Sequence, residues 1–140
     1  MMKKQILVSM LLGLTMVAQA GNIDQFKKRK ATVYLDKAEM CLEDNRCYPV
    51  LIGKTTPKGV FDLNIVKTHH RGYGGDVMKF KEEGNFMFAV HRVWTLKPEE
   101  RRMERIASSR VKDRIMTNGC INVTNDVYEQ LKAYFVLEVV

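Results

Sequence analysis

Apolar and polar positions alternate over short runs through most of this chain, the pattern of half-buried strands rather than of long helices. Ala31–Leu35 reads as a strand, and Ala38–Leu42 with Cys47–Ile52 as the two arms of a hairpin. The turn Thr56-Pro57-Lys58-Gly59 leads into a strand over Val60–Val66. Past a second turn at Tyr73-Gly74-Gly75-Asp76, Met78–Lys81 and Asn85–His91 read as strands, the latter with Phe86, Phe88 and Val90 on one face. Two stretches break this pattern. Lys97–Ala107 predicts a helix, with Pro98 in the first turn, Glu99 and Glu100 at the positive end, and Met103, Ile106 and Ala107 sharing a face. Asn125–Tyr134 predicts a second, capped by Thr124 or Asn125, with Val127, Leu131 and Tyr134 as its apolar stripe. Phe135–Val140 closes as a strand. The expected fold is mainly β with two helices, a β-rich mixed fold closed or layered like a sandwich.

The 140 residues divide in two. Met1-Met2-Lys3-Lys4, the apolar run Ile6–Ala18 and the small-x-small site Ala18-Gln19-Ala20 predict a signal peptide over residues 1–20. Residues 21–140 then form one domain, and the apolar run is too short to span a bilayer, which takes about 20 residues. Without Lys3 and Lys4 the remainder carries 21 basic and 16 acidic side chains, a formal charge of +5. A basic surface suits a nucleic acid or an anionic envelope polymer. Export argues against nucleic acid, and no basic motif interleaved with aromatics is present.

Export also implies an oxidising compartment in which disulfides persist. Three cysteines make one pair and a remainder. A three-residue loop of Glu43-Asp44-Asn45, with Asn45 left-handed, sets Cys41 opposite Cys47 at a spacing a disulfide spans. The alternative is two buried free thiols. Cys120 is then the odd thiol.

Cys120 follows Gly119 within Thr117-Asn118-Gly119-Cys120-Ile121-Asn122, and Ala89-Val90-His91 lies upstream. A thiol attacks only as thiolate, an imidazole can take its proton, and N–H groups at a tight Gly-Cys turn can hold the resulting oxyanion. Alone, Cys120 reads first as a buried core residue, since free cysteine is among the most buried types, and His91 as a satisfied half-buried histidine. Together with Gly53-Lys54-Thr55-Thr56-Pro57-Lys58-Gly59-Val60-Phe61, the segment resembles the L,D-transpeptidase (YkuD-type) family of bacterial cell-wall enzymes. The resemblance runs from about Gly53 to Leu131. Asn118 stands where the family usually has a second His, and Asn122 where it usually has Arg.

The resemblance implies a groove in which Cys120, deprotonated by His91, attacks a peptidoglycan stem peptide and forms a thioester. The carbonyl of Arg92 would orient the His91 ring, and the N–H groups around Gly119 would hold the oxyanion. No cofactor or metal is implied, and a monomer is expected. Asn118 and Asn122 are candidate substrate donors or turn-capping residues. Tyr73 is expected on a loop over the groove. His69 and His70 lack zinc-ligand spacing. Arg101, Arg102, Arg105, Arg110, Lys112 and Arg114 make the insert between His91 and Cys120 basic, either a solvated face or a lid whose arginines, Arg114 among them, bind stem-peptide carboxylates.

Overall fold

The computed structural model describes residues 29–140, so the predicted signal peptide lies outside the described residues. Among the described residues nine strands form two sheets: β1 Lys30–Tyr34, β2 Glu39–Cys41, β3 Cys47–Pro49, β4 Gly59–Asp62, β5 Asn64–Lys67, β6 Asp76–Glu83, β7 Phe86–Arg92, β8 Ile121–Val123 and β9 Val136–Val139. The order is β3-β2-β1-β9-β4 in the first sheet and β5-β6-β7-β8 in the second. Each sheet holds one parallel pair, β1 with β9 and β7 with β8. Helices α1 Arg102–Ala107 and α2 Asn125–Leu131 complete a mainly β architecture.

The core is continuous between the sheets. Val33, Met40, Leu137 and Val139 of the first meet Met78, Val90, Ile121 and Val123 of the second, with Val127, Tyr128 and Leu131 of α2 buried among them. A smaller cluster of Leu51, Val93 and Ile106, backed by Met116, ties α1 to the rest.

The hairpin forms in the expected register, Cys41 opposite Cys47 and Asn45 at φ 61°, and a disulfide joins the two cysteines across 4.0 Å at Cα. Elsewhere tertiary structure overrides local pattern. The run Val60–Val66 is two strands, because the chain leaves the first sheet at Leu63 and enters the second; Leu63 is itself buried, with its N–H on the Phe135 carbonyl at 2.8 Å. The single helix expected over Lys97–Ala107 is a tight turn at Pro98–Glu100, a left-handed Arg101 at φ 50°, and only then α1. The second helix stops at Leu131, three residues early, where the chain turns into β9.

Strand β8 was not predicted. A parallel partner for β7 needs a crossover of a dozen or more residues, and the insert carrying α1 is that crossover. It explains why His91 and Cys120 are so far apart in sequence yet flank one strand pair.

Candidate active site

Strands β7 and β8 set His91 directly opposite Asn122. Cys120 is the residue just before β8, and it opens with His91 into a cleft of about 240 Å³ whose walls include Tyr73, Trp94, Arg102 and Asn118.

The turn before Cys120 is held from the Gly53–Thr56 segment. The Met116 and Thr117 N–H groups donate to the Ile52 carbonyl, at 2.8 and 3.0 Å. Thr55 Oγ1 donates to the Asn118 carbonyl at 2.9 Å and Thr56 Oγ1 to that of Gly119 at 3.0 Å. A Cβ on Gly53 would stand 2.2 Å from the Thr117 carbonyl oxygen, so only glycine lets the two backbones meet. Gly119, at φ +123°, has Phe88 where its own Cβ would project, 2.5 Å away. The two sequence motifs are thus one interlocked unit.

His91 is buried, and its Nδ1 lies 2.6 Å from the Arg92 carbonyl, the contact the family resemblance implied. A carbonyl only accepts, so Nδ1 carries the proton and Nε2 keeps its lone pair. That lone pair faces the Asn122 amide nitrogen at 3.3 Å, while the Cys120 thiol donates instead to the Met87 carbonyl at 3.6 Å. Burial pushes the His91 pKa down to about 4, opposed by the Arg92 carbonyl and reinforced by the Arg102 charge. Burial also raises the Cys120 pKa, against the Ala89 N–H and Arg102, which favour the thiolate. At neutral pH the resting site therefore holds a thiol and a neutral imidazole, not an ion pair.

The sequence-predicted site residues separate. Tyr73 lies in the cleft wall, its ring edge-on to His91 at 4.8 Å and tilted against Trp94 at 4.8 Å. Asn118 is exposed and lines the cleft. Gly119 donates its N–H to Thr117 Oγ1 at 3.2 Å, so that group is already engaged. Asn122 is not a groove residue. It is fully buried behind His91, with Oδ1 accepting from Arg102 at 2.9 Å and from the Trp94 N–H at 3.5 Å. Arg114 is not one either: it is buried, and its guanidinium donates to the Ala38, Lys37 and Ser108 carbonyls. It fastens the end of the crossover to the first sheet.

Two arginines do more at the site than the sequence indicated. Arg102 lines the cleft between Glu100, at 2.6 Å, and Asn122. The Arg92 side chain donates to the Tyr73 carbonyl and to Asp76, both at 3.0 Å, and to Glu129 at 2.8 Å. One residue thus orients His91 through its carbonyl and anchors the Tyr73 loop through its side chain. Arg102 was one of six basic residues in the insert, and only the break at Arg101 and the fold behind it distinguish it.

No family model matches the chain, and no curated protein matches it in sequence. Among solved structures it is similar to the L,D-transpeptidase (residues 123–326) from Xylanimonas cellulosilytica, at 18% identity and a TM-score of 0.51 over 81% of this chain and 60% of that one. It is also similar to the L,D-transpeptidase (Yku) from Stackebrandtia nassauensis, at 14% identity and a TM-score of 0.50 over 86% and 61%. The fold is L,D-transpeptidase-like, and the chain spans about 60% of the length of the structures it resembles.

Proposed function

We propose that the protein is a cysteine L,D-transpeptidase that acts on peptidoglycan stem peptides through a Cys120 thioester. The observation that carries this reading is the opening of Cys120 and a tautomer-defined His91 into one cleft, on a fold shared with L,D-transpeptidases. The Cys41–Cys47 disulfide supports action in an oxidising envelope compartment.

Because thiol and imidazole rest neutral, proton transfer accompanies attack rather than preceding it. Nε2 exchanges the Asn122 amide for the thiol proton as sulfur bonds to the carbonyl carbon between an L-centre and a D-residue. The Cys120 N–H is the backbone donor assigned to the oxyanion, since that of Gly119 is engaged. The imidazolium then returns its proton to the departing D-amino acid as the C–N bond breaks, leaving a thioester. An amine from a second stem peptide resolves it to a cross-link; water resolves it to a carboxylate, which makes the protein an L,D-carboxypeptidase or endopeptidase.

One observation favours a second reading, an envelope-binding protein on this fold without turnover: Nε2 and the thiol each already have another partner. Intact mass after exposure to a β-lactam of the carbapenem class separates the two, since a competent thiol opens the ring and retains it. Turnover is tested with purified protein on isolated muropeptides, products read by mass spectrometry. Cross-linked or trimmed muropeptides that vanish with Cys120→Ser support the proposal, and products undiminished in that variant overturn it.

A further inference from the structure

We infer that Arg102 is a positioning residue for His91, acting through the side-chain amide of Asn122. Its catalytic meaning rests on the reading of His91 as the general base, whereas its parts stand on geometry alone.

An amide offers an acceptor at one end and a donor at the other, and at Asn122 both ends are specified. Oδ1 meets the Arg102 guanidinium at 2.9 Å and the Trp94 N–H at 3.5 Å, and both of these can only donate. Nδ2 is therefore the end turned to His91. On the far side of the ring the Arg92 carbonyl requires a proton on Nδ1. From Arg102 through Asn122 and His91 to the Arg92 carbonyl, each group donates to the next. Turning the amide over would set its NH₂ against the guanidinium, donor against donor, so Arg102 determines which atom His91 meets.

Arg102 is itself fixed. Its Nε donates to Glu100 at 2.6 Å, and its side chain retains 15% exposure. The residue before it, Arg101, is left-handed at φ 50°, a conformation disfavoured for a residue with a Cβ. That strained step lies between Glu100 and Arg102, the two members of the ion pair at the cleft. The insert thus contributes to the site by ordering the base.

The consequence is a defined protonation state. An imidazolium would carry a proton on Nε2, pointed at the amide donor, with the guanidinium beyond it. The other titratable groups facing the ring are Tyr73 from the loop before β6, Cys120 ahead of β8, and Lys97 and Glu100 in the cleft wall. Burial keeps both Tyr73 and Cys120 in their neutral forms at neutral pH. Glu100 is spent on Arg102. Arg102 therefore holds Nε2 unprotonated, its lone pair on the Asn122 amide, which is the protonation state a base must present to a neutral thiol.

The test is a proton NMR titration of His91 in the full chain, run as a cycle of wild type, Arg102→Met, Asn122→Ala and the double variant. Arg102→Met frees the amide to turn and accept from a protonated Nε2. The His91 pKa is then expected to rise by about one unit or more, tenfold in proton affinity. On the Asn122→Ala background the same change should move it by less than half as much. A shift equally large on both backgrounds would mean that Arg102 acts by its charge alone, and would overturn the inference. So would a wild-type pKa in folded Arg102→Met. Arg102→Gln, which keeps a donor but removes the charge, should hold the wild-type value, and it serves in the cycle with Asn122→Ala if the Met variant does not fold. There, a His91 that titrates as in wild type supports the inference, and one shifted as far as in Asn122→Ala overturns it. The titration needs no turnover. A cycle that holds in a protein inert towards muropeptides sinks the transpeptidase reading and leaves this one standing.

Discussion

Asn122 stands directly across the parallel β7–β8 pair from His91, with its amide nitrogen 3.3 Å from Nε2. Each is a buried polar side chain, His91 following the five apolar residues that open β7 and Asn122 lying between Ile121 and Val123 in β8. Burying two such groups is tolerable because each satisfies the other, with Arg102 and the Arg92 carbonyl closing the ends. The strand pair therefore does two jobs. It completes the second sheet, and it holds an unprotonated ring nitrogen beside the cleft that contains Cys120.

The low pKa of His91 has a consequence for stability. Unfolded, the side chain takes its proton near pH 6.5; folded, only near pH 4, because burial disfavours the charge. Between those values the unfolded chain binds more protons, so stability rises with pH. The contribution is complete above about pH 6.5 and lost as pH falls through about 4. It amounts to about 3 kcal/mol in all, about 2 of it gone by pH 5. Urea unfolding at pH 7 and pH 5 should show that loss in wild type and much less of it in His91→Gln. Equal losses in the two proteins would show that burial of this imidazole is not what makes the fold acid-sensitive.

Gly119 and Gly75 allow backbone strain to be separated from crowding. Both have positive φ, +123° and +102°, but a Cβ at Gly75 meets nothing within 4 Å while one at Gly119 meets Phe88 at 2.5 Å. Gly75→Ala should cost about 1–2 kcal/mol, from backbone strain alone. Gly119→Ala adds overpacking of about 1–3 kcal/mol. Thermal unfolding of the pair measures the difference. A Gly119→Ala protein as stable as Gly75→Ala would mean that the turn before Cys120 relaxes without cost.

What could be read from the sequence divides by range. The Cys41–Cys47 hairpin was legible because its turn chemistry is local: three loop residues and a left-handed Asn45 set the register. The contact between His91 and the Arg92 carbonyl followed from the family resemblance. Strand β8 was not legible, since three residues carry no alternation to read, and its pairing with β7 joins residues 31 positions apart in sequence. The break at Leu63 escaped for a related reason: an apolar residue between two strand-like runs looks continuous until two sheets compete for it. Among the arginines of the insert, composition ranks none above another. Burial does, placing Arg102 in the cleft wall, Arg114 in the interior and Arg110 in solvent beside Asp113.

That last division predicts opposite outcomes for two substitutions. Arg114→Met leaves the Lys37 and Ser108 carbonyls without their donor and the Ala38 carbonyl with only the Val50 N–H, and hydrogen bonds to a charged group contribute about 1.5–3 kcal/mol each. Destabilisation of at least about 3 kcal/mol is expected, with partial detachment of the crossover. Arg110 is exposed, and its pair with Asp113 contributes about 1 kcal/mol or less. Arg110→Gln should therefore change neither the melting temperature appreciably nor the KM for stem peptides. A raised KM in Arg110→Gln would restore the lid that Arg114, by its burial, does not form.

The reactivity of Cys120 tests whether the resting site is neutral. Cys41 and Cys47 are joined, so alkylation of the native protein reports on Cys120 alone, and intact mass counts a single adduct. A preformed thiolate–imidazolium pair would react with iodoacetamide at a rate that stays level well below pH 7. Here burial raises the thiol pKa and lowers that of the imidazole, and no hydrogen bond joins them. The rate should instead climb steadily with pH, with a midpoint above the value of about 8.5 for a free cysteine. Tyr73 and Trp94 wall the cleft, so access also matters, and a smaller reagent such as methyl methanethiosulfonate should give a faster rate with the same midpoint. If the two reagents gave different midpoints, access rather than ionisation would be limiting. A level rate from pH 5 to 8 with both would show that the thiol is already ionised, and that His91 has left the Asn122 amide before any substrate arrives.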